Sequence, residues 1–492
     1  MSTYTDIPPQ EIDPLLDRAR MAFNAYRTLS LAKRAALLRA IASELEEMGD
    51  EWIQTAHRET NLPEARLKIE RARTIYQLES YAMACAQGDW MRISIDTALP
   101  DRNPPRPDIR KMMIPLGPVV VFGASNFPYA YSTAGGDTAS ALAAGCAVIV
   151  KAHPAHPETS ALAAQAISLA IEKTGMPKYL FQHVYGASFE IGKQLVQQPL
   201  TAAVGFTGSF SGGKQLFDWA NQRLNPIPVF AEMGSVNPIF VLPSLLKMET
   251  DSLAEKVAAS VSMGVGQFCT NPGILIAVQG EALEHFSEKL SEKLQQVSPA
   301  AMLHAGIQQA YQLRAATLRD QEAVQTILAA KDLSEKMATP QLTLVNAERF
   351  ISDTRLHQEV FGPATLLVVC NDAAQLLEVA NSLEGQLTCS VFGTTTDFAD
   401  QAELLQTLPL HCGRLNFNNV PTGVEVVQSM HHGGPFPATT DPRFTAVGSD
   451  AILRFSRPIS YQNCPEEFLP DELKTSNPLK IWRKIDGVWE NK

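Results

Sequence analysis

The chain has 492 residues, 45% hydrophobic and 19% charged, an ordinary globular composition with length for two or three domains. Its formal net charge of −11 argues against a phosphate backbone, so nucleic acid is not an expected partner. Residues 1–6 lack a basic stretch leading into an apolar core, and no apolar run is long enough to cross a bilayer; the expectation is a soluble cytoplasmic protein without a membrane partner. Seven cysteines (85, 146, 269, 370, 389, 412 and 464) occur without any CxxC pair, which suggests neither a disulfide framework nor a structural zinc site.

Residues 10–85 carry helical periodicity, interrupted at Asn61-Leu62-Pro63. A proline-rich span, 99–107, follows between short alternating pieces and predicts a projecting hairpin or linker over 93–113. Then β-rich and helical runs alternate, the pattern of a parallel sheet with crossover helices. Strands are predicted at 119–124, 147–151, 181–185, 203–206 and 229–232, with helices starting near Ser132, Pro157, Ser188 and Gly212. After Asn237 the pattern repeats, with strands near Ile239, Ile274, Leu366, Ser390 and Leu415 and helices at Asp251, Glu281, Ala374 and Ala399. Two α/β halves meeting near residue 240 are expected. Residues 451–459 alternate like an edge strand, and 465–492 are polar and proline-interrupted.

One stretch presents a single cysteine among glycines: Met263-Gly264-Val265-Gly266-Gln267-Phe268-Cys269-Thr270-Asn271-Pro272-Gly273. It lies between a helical run and the strand-like Ile274-Leu275-Ile276-Ala277-Val278, so Cys269 falls in a connection where glycines let backbone approach a ligand. The usual Gly-x-Gly-x-x-Gly loop is missing. Instead Phe206-Thr207-Gly208-Ser209-Phe210-Ser211-Gly212-Gly213-Lys214 runs from a strand into a helix, whose free N–H groups suit a pyrophosphate, or simply a turn. In Val121-Phe122-Gly123-Ala124-Ser125-Asn126-Phe127-Pro128 the Asn126 amide suits an oxyanion, or an Asx turn before proline. Glu232 ends an apolar strand, a setting that raises a carboxyl pKa toward that of a general base unless the residue is at the surface. Lys151 and Glu359-Val360-Phe361-Gly362-Pro363 complete the candidates.

Taken in order, Ser125-Asn126-Phe127-Pro128, Val150-Lys151-Ala152, Phe206-Thr207-Gly208-Ser209, Glu232-Met233-Gly234, Gly266-Gln267-Phe268-Cys269 and Glu359-Val360-Phe361-Gly362-Pro363 resemble the aldehyde dehydrogenase superfamily over essentially the whole chain. The resemblance implies an α/β fold of two domains with parallel sheets. A Rossmann-like cofactor domain would comprise 1–91 and 114–239, and a catalytic domain 240–450. Segments 92–113 and 451–492 would bridge subunits of a homodimer or homotetramer. It further implies Cys269 as nucleophile, Glu232 as base and Asn126 as oxyanion donor. Lys151 and His153 would meet the cofactor ribose or phosphate, Gly208, Ser209 and Gly213 its pyrophosphate and nicotinamide, and Glu359 and Phe361 the nicotinamide ribose and ring. Phe122, Ser125, Met233 and Gly234 would also border the cofactor, and Phe127, Gln267 and Arg443 a small aldehyde substrate; no metal is implied.

NAD-preferring relatives commonly carry a glutamate three residues after this lysine, which pairs with the ribose hydroxyls and repels a 2′-phosphate. Here the run is Lys151-Ala152-His153-Pro154, so NADP is expected, with NAD possible. This run, the cysteine loop and His431-His432-Gly433-Gly434-Pro435-Phe436-Pro437-Ala438-Thr439-Thr440-Asp441-Pro442-Arg443-Phe444 are similar to the 2,5-dioxovalerate (α-ketoglutarate semialdehyde) dehydrogenases. Oxidation through a cysteine thioester to 2-oxoglutarate is therefore expected. Broad aliphatic aldehyde oxidation, or a binding protein that keeps only the fold, are the alternatives.

Overall fold

The computed structural model describes residues 4–333 and 336–491. Four helices open the chain, α1 (Ile12–Tyr26), α2 (Leu31–Glu47), α3 (Gly49–Thr60) and α4 (Glu64–Gln87). Asn61 takes a left-handed conformation that ends α3, where the sequence breaks the periodicity. The proline-rich span is the turn of a hairpin in which β1 (Ser94–Asp96) pairs antiparallel with β2 (Ile109–Pro115).

The first α/β layer consists of β3 (Val119–Phe122), β4 (Val148–Lys151), β5 (Phe181–Val184), β6 (Ala203–Thr207) and β7 (Val229–Glu232), all parallel, in the order β5-β4-β3-β6-β7. The chain builds outward from β3 in one direction and then returns to β6 on its other side. The crevice beyond the carboxyl ends of β3 and β6 is thus a topological switch point, where ligands bind in open α/β sheets. Crossover helices are α5 (Gly136–Ala144), α6 (Pro157–Lys173), α7 (Phe189–Gln197) and α8 (Phe210–Asn221). α5 starts four residues later than the sequence suggests, because residues 128–135 form turns beneath the crevice.

The second sheet begins with β8 (Ile239–Val241), followed by α9 (Pro243–Ser262) and β9 (Ile274–Val278). It continues with β10 (Gln325–Leu328), β11 (Gln341–Asn346), β12 (Ala364–Cys370), β13 (Gln386–Phe392) and β14 (Cys412–Phe417), ordered β10-β11-β12-β9-β8-β13-β14. Only β10 runs antiparallel. The helix Ala305–Arg319 and strand β11 are not among the expected elements. The tail also departs from expectation. Residues Ser449–Phe455 form a 3-10 plug in which Ala451 to Phe455 are all buried, and Arg454 is neutralised by Asp137 at 2.7 Å. The edge strand, β15 (Ser456–Gln462), starts only there, against β2. The polar terminus adds β16 (Arg483–Ile485) and β17 (Val488–Glu490), so one sheet ordered β15-β2-β1-β16-β17 unites hairpin and tail. Among the described residues no helix is long and apolar enough to cross a membrane.

Candidate active site

Between the two sheets lies a cavity of about 390 Å³, within the range of small-molecule sites, and its wall carries most of the expected site residues. Ser125, Asn126 and Phe127 come from the loop after β3, His153 from that after β4, Gly208 and Ser209 from that after β6, and Glu232 and Met233 from the end of β7. Cys269, Glu359 and Phe361 enter from the second half.

Local backbone chemistry fixes the cysteine. After α9 the chain passes through left-handed Gly264, Val265 and Gly266. A Cβ at Gly266 would stand 2.2 Å from the Gly362 carbonyl carbon, so only glycine lets this loop lie against the Gly362-Pro363 turn. The Asn237 amide then holds the Cys269 carbonyl (2.8 Å) and the Asn271 carbonyl (2.9 Å). Asn126 donates to the Gln267 carbonyl at 3.2 Å, which keeps its amide beside the cysteine loop.

Glu232 and Cys269 face a residue absent from the expected set. His432 Nε2 lies 3.0 Å from Glu232 Oε1 and 3.8 Å from Cys269 Sγ. Its loop is stitched to β7, with Met233 N–H donating to the Ala438 carbonyl and Thr445 Oγ1 receiving the His432 N–H. Burial alone would raise the Glu232 pKa, as expected from the sequence. His432, the Cys269 hydrogen bond and the Arg454 charge together outweigh burial, however, and the carboxyl is held below its ordinary value. Burial and the Glu232 charge push the Cys269 thiol well above the usual range, against the pull of Arg73. The resting pair is thus a carboxylate next to a protonated thiol. Glu232 Oε2, buried and without a hydrogen-bond partner, is open to that proton.

Elsewhere on the wall, burial raises Glu359 to about 7, with Arg314 opposing. Burial lowers Lys151 to about 8 and His153 well below 6.5. His153 therefore favours its neutral form. Its Nδ1 accepts the Ala155 N–H, which leaves Nε2 as the donor. Lys151 sits behind the wall with Nζ 5.9 Å from the Phe122 ring centroid, and Phe122 is buried in the sheet. Ser209 caps α8 by accepting the Gly212 N–H. Gly213 packs on Met233, where a Cβ would approach Cγ to 2.6 Å, and Gly234 abuts the Glu359 carboxylate.

Two expected substrate residues are not brought to the cavity. Gln267 is buried and its amide is used within the chain, accepting the Leu303 N–H and donating to the Gly264 carbonyl. Arg443 is 79% exposed and tied to Asp441, two residues away. Instead, three arginines, Arg66, Arg73 and Arg414, are electrostatically coupled to Cys269. Each has one buried nitrogen without a hydrogen-bond partner: Arg66 Nη1, Arg73 Nε and Arg414 Nε. Arg73 Nη2 donates to the Tyr131 hydroxyl, and Tyr131 lines the cavity.

A switch-point crevice that opens onto a half-buried thiol and a buried carboxylate and amide defines an α/β enzyme equipped for covalent catalysis through cysteine. The aldehyde dehydrogenase family profile matches residues 1–436. Alpha-ketoglutaric semialdehyde dehydrogenase 2 of Azospirillum brasilense is 47% identical over 482 residues, covering 98% of this chain and 92% of the relative. Alpha-ketoglutaric semialdehyde dehydrogenase of Acinetobacter baylyi is 43% identical, covering 97% and 91%. Among solved structures, 1-pyrroline-5-carboxylate dehydrogenase from Thermus with bound NAD superposes with a TM-score of 0.79 at 22% identity, covering 93% and 86%. The chain belongs to the aldehyde dehydrogenase family, whose members oxidise aldehydes with NAD(P).

Proposed function

We propose that the enzyme oxidises 2,5-dioxovalerate to 2-oxoglutarate with NADP, using Cys269 as nucleophile. The relatives of matching name at 47% and 43% identity support the substrate. The observation that carries the chemistry is the convergence of Cys269, Glu232 and His432, whose reactive atoms all lie within 4.8 Å of one another.

In this reading the thiol proton passes to Glu232, with His432 Nε2 bridging carboxylate and sulfur, and the thiolate attacks the aldehyde carbon. The second Asn126 amide hydrogen and the Cys269 N–H stabilise the resulting oxyanion. Nicotinamide, when bound, would supply the hydride acceptor for the oxidation. Glu232 then draws a proton from the water that releases the acid.

The fit to a dinucleotide rests on the cavity reaching both the thiol and the Ser209-capped start of α8, at the switch point of the first sheet. Gly208 and Ser209 would hold the pyrophosphate, Lys151 the adenosine end, and Glu359 and Phe361 the nicotinamide ribose and ring. NADP preference rests on Pro154 standing where an acid would repel a 2′-phosphate. We assign the grip on the distal carboxylate to Arg73, the arginine whose charge most directly opposes that of Glu232 at the thiol. The first sheet would form the cofactor domain and the second the catalytic domain. The edge strand β15 would pair subunits in a homodimer or homotetramer.

Purified protein is expected to reduce NADP faster than NAD with 2,5-dioxovalerate, and to prefer that substrate to a medium-chain aliphatic aldehyde. Equal rates with both aldehydes would move the reading to broad aldehyde oxidation.

A further inference from the structure

The three groups that converge at the thiol are also a set of metal ligands. Cys269 Sγ, His432 Nε2 and one Glu232 oxygen lie within 4.8 Å of one another, with Nε2 to Oε1 at 3.0 Å and Sγ to Nε2 at 3.8 Å. Tetrahedral bonds of about 2.0–2.3 Å place neighbouring ligand atoms about 3.3–3.8 Å apart, so only small side-chain shifts would centre a cation among them. Glu232 Oε2 is buried without a partner, an oxygen already desolvated and unclaimed. Cys269 and Glu232 both line the cavity, which leaves a fourth position for water. Thiolate and imidazole together select zinc-like cations over magnesium or calcium.

We propose that Cys269, Glu232 and His432 form a reversible inhibitory site for one thiophilic divalent cation, of which Zn²⁺ is the type. Binding displaces the thiol proton to solvent and moves the His432 Nε2 proton to Nδ1 or to solvent, and sulfur–, nitrogen– and oxygen–metal bonds form with no change of oxidation state. The nucleophile and its proton acceptor are withdrawn in one event, so aldehyde and cation exclude each other. The inference depends on the geometry of these side chains and not on which aldehyde is the substrate.

The test uses the full-length protein with Co²⁺ and Zn²⁺ as probes. Cobalt should bind one per chain with a sulfur-to-cobalt charge-transfer band, and chelator should restore the activity that Zn²⁺ removes. Saturating Zn²⁺ should protect Cys269 of the wild-type protein from iodoacetamide, read by peptide mass spectrometry. Cys269→Ala should lose the band. His432→Gln should weaken cobalt binding at least about tenfold, a change of the size seen when zinc sites lose supporting groups. Circular dichroism confirms that both variants fold. Half-buried Cys464 is the alternative thiol, and Cys464→Ser should leave binding unchanged. An unaltered band in Cys269→Ala, unaltered affinity in His432→Gln, or alkylation of Cys269 at full rate under saturating Zn²⁺ would each overturn the site.

Discussion

Two carboxylates on one cavity wall, buried Glu232 and half-buried Glu359, both lose solvation there, yet their acidities move in opposite directions. Glu232 has an imidazole at 3.0 Å and is held below its ordinary value, whereas at Glu359 burial outweighs the Arg314 charge and the Ser235 backbone hydrogen bond and raises it to about 7. Burial is common to both, so the nearby partner decides the sign. Glu232 is thereby kept ready to receive a proton, while Glu359 titrates near neutrality.

The largest expected effect falls at the thiol end. Cys269→Ala should lower turnover at least about 10⁴-fold, as removal of a covalent nucleophile does, in a steady-state assay of NADPH formation. Asn126→Ala should cost about 10²–10³-fold in kcat if its amide meets the oxyanion; a change confined to KM would remove it from that role. Arg73→Gln should reduce kcat/KM for the anionic semialdehyde about 10- to 100-fold, the worth of a charged hydrogen bond, and leave a neutral aliphatic aldehyde nearly unaffected. An equal loss on both substrates would return Arg73 to a structural role.

Subtler tests sharpen the contrast between the two acids. The Glu232 charge opposes thiolate formation, so Glu232→Gln should speed iodoacetamide modification of Cys269 near pH 8, about tenfold for each unit by which the thiol pKa falls. A slower reaction would mean that the carboxylate chiefly acts as proton acceptor in the resting enzyme. At the ribose end the raised Glu359 acid is protonated below about 7. If ribose hydroxyls donate to its carboxylate, cofactor affinity should strengthen as pH rises through 7 and Glu359→Gln should flatten that dependence. Fluorescence titration of NADP across pH 6–8 reads both.

The alternation of strand and helix was legible because several buried parallel strands carry apolar runs, as in residues 148–150 and Ile274–Val278. Motif residues Cys269, Glu232 and Asn126 were likewise readable, since Asn126 follows such a run, Glu232 ends one and Cys269 precedes one. His432 was not, although its motif stood in plain view. It reaches Glu232 across 200 positions on a loop without periodicity, and its role exists only once Met233 and Ala438 are paired. Gln267 and Arg443 misled for a related reason: sequence shows a polar group but not the Leu303 N–H or Asp441 carboxylate that occupies it. In the tail, Arg454 imitated the polar member of an alternating strand because its burial against Asp137 depends on residues over 300 positions away.

The most direct test of the covalent account is to mix the Glu232→Gln protein with NADP and 2,5-dioxovalerate, quench, and map adducts by peptide mass spectrometry. With release slowed, the account predicts an acyl group on the peptide that contains Cys269 and a single-turnover burst of NADPH. A burst without any adduct, or an acyl group on a different cysteine, would contradict it.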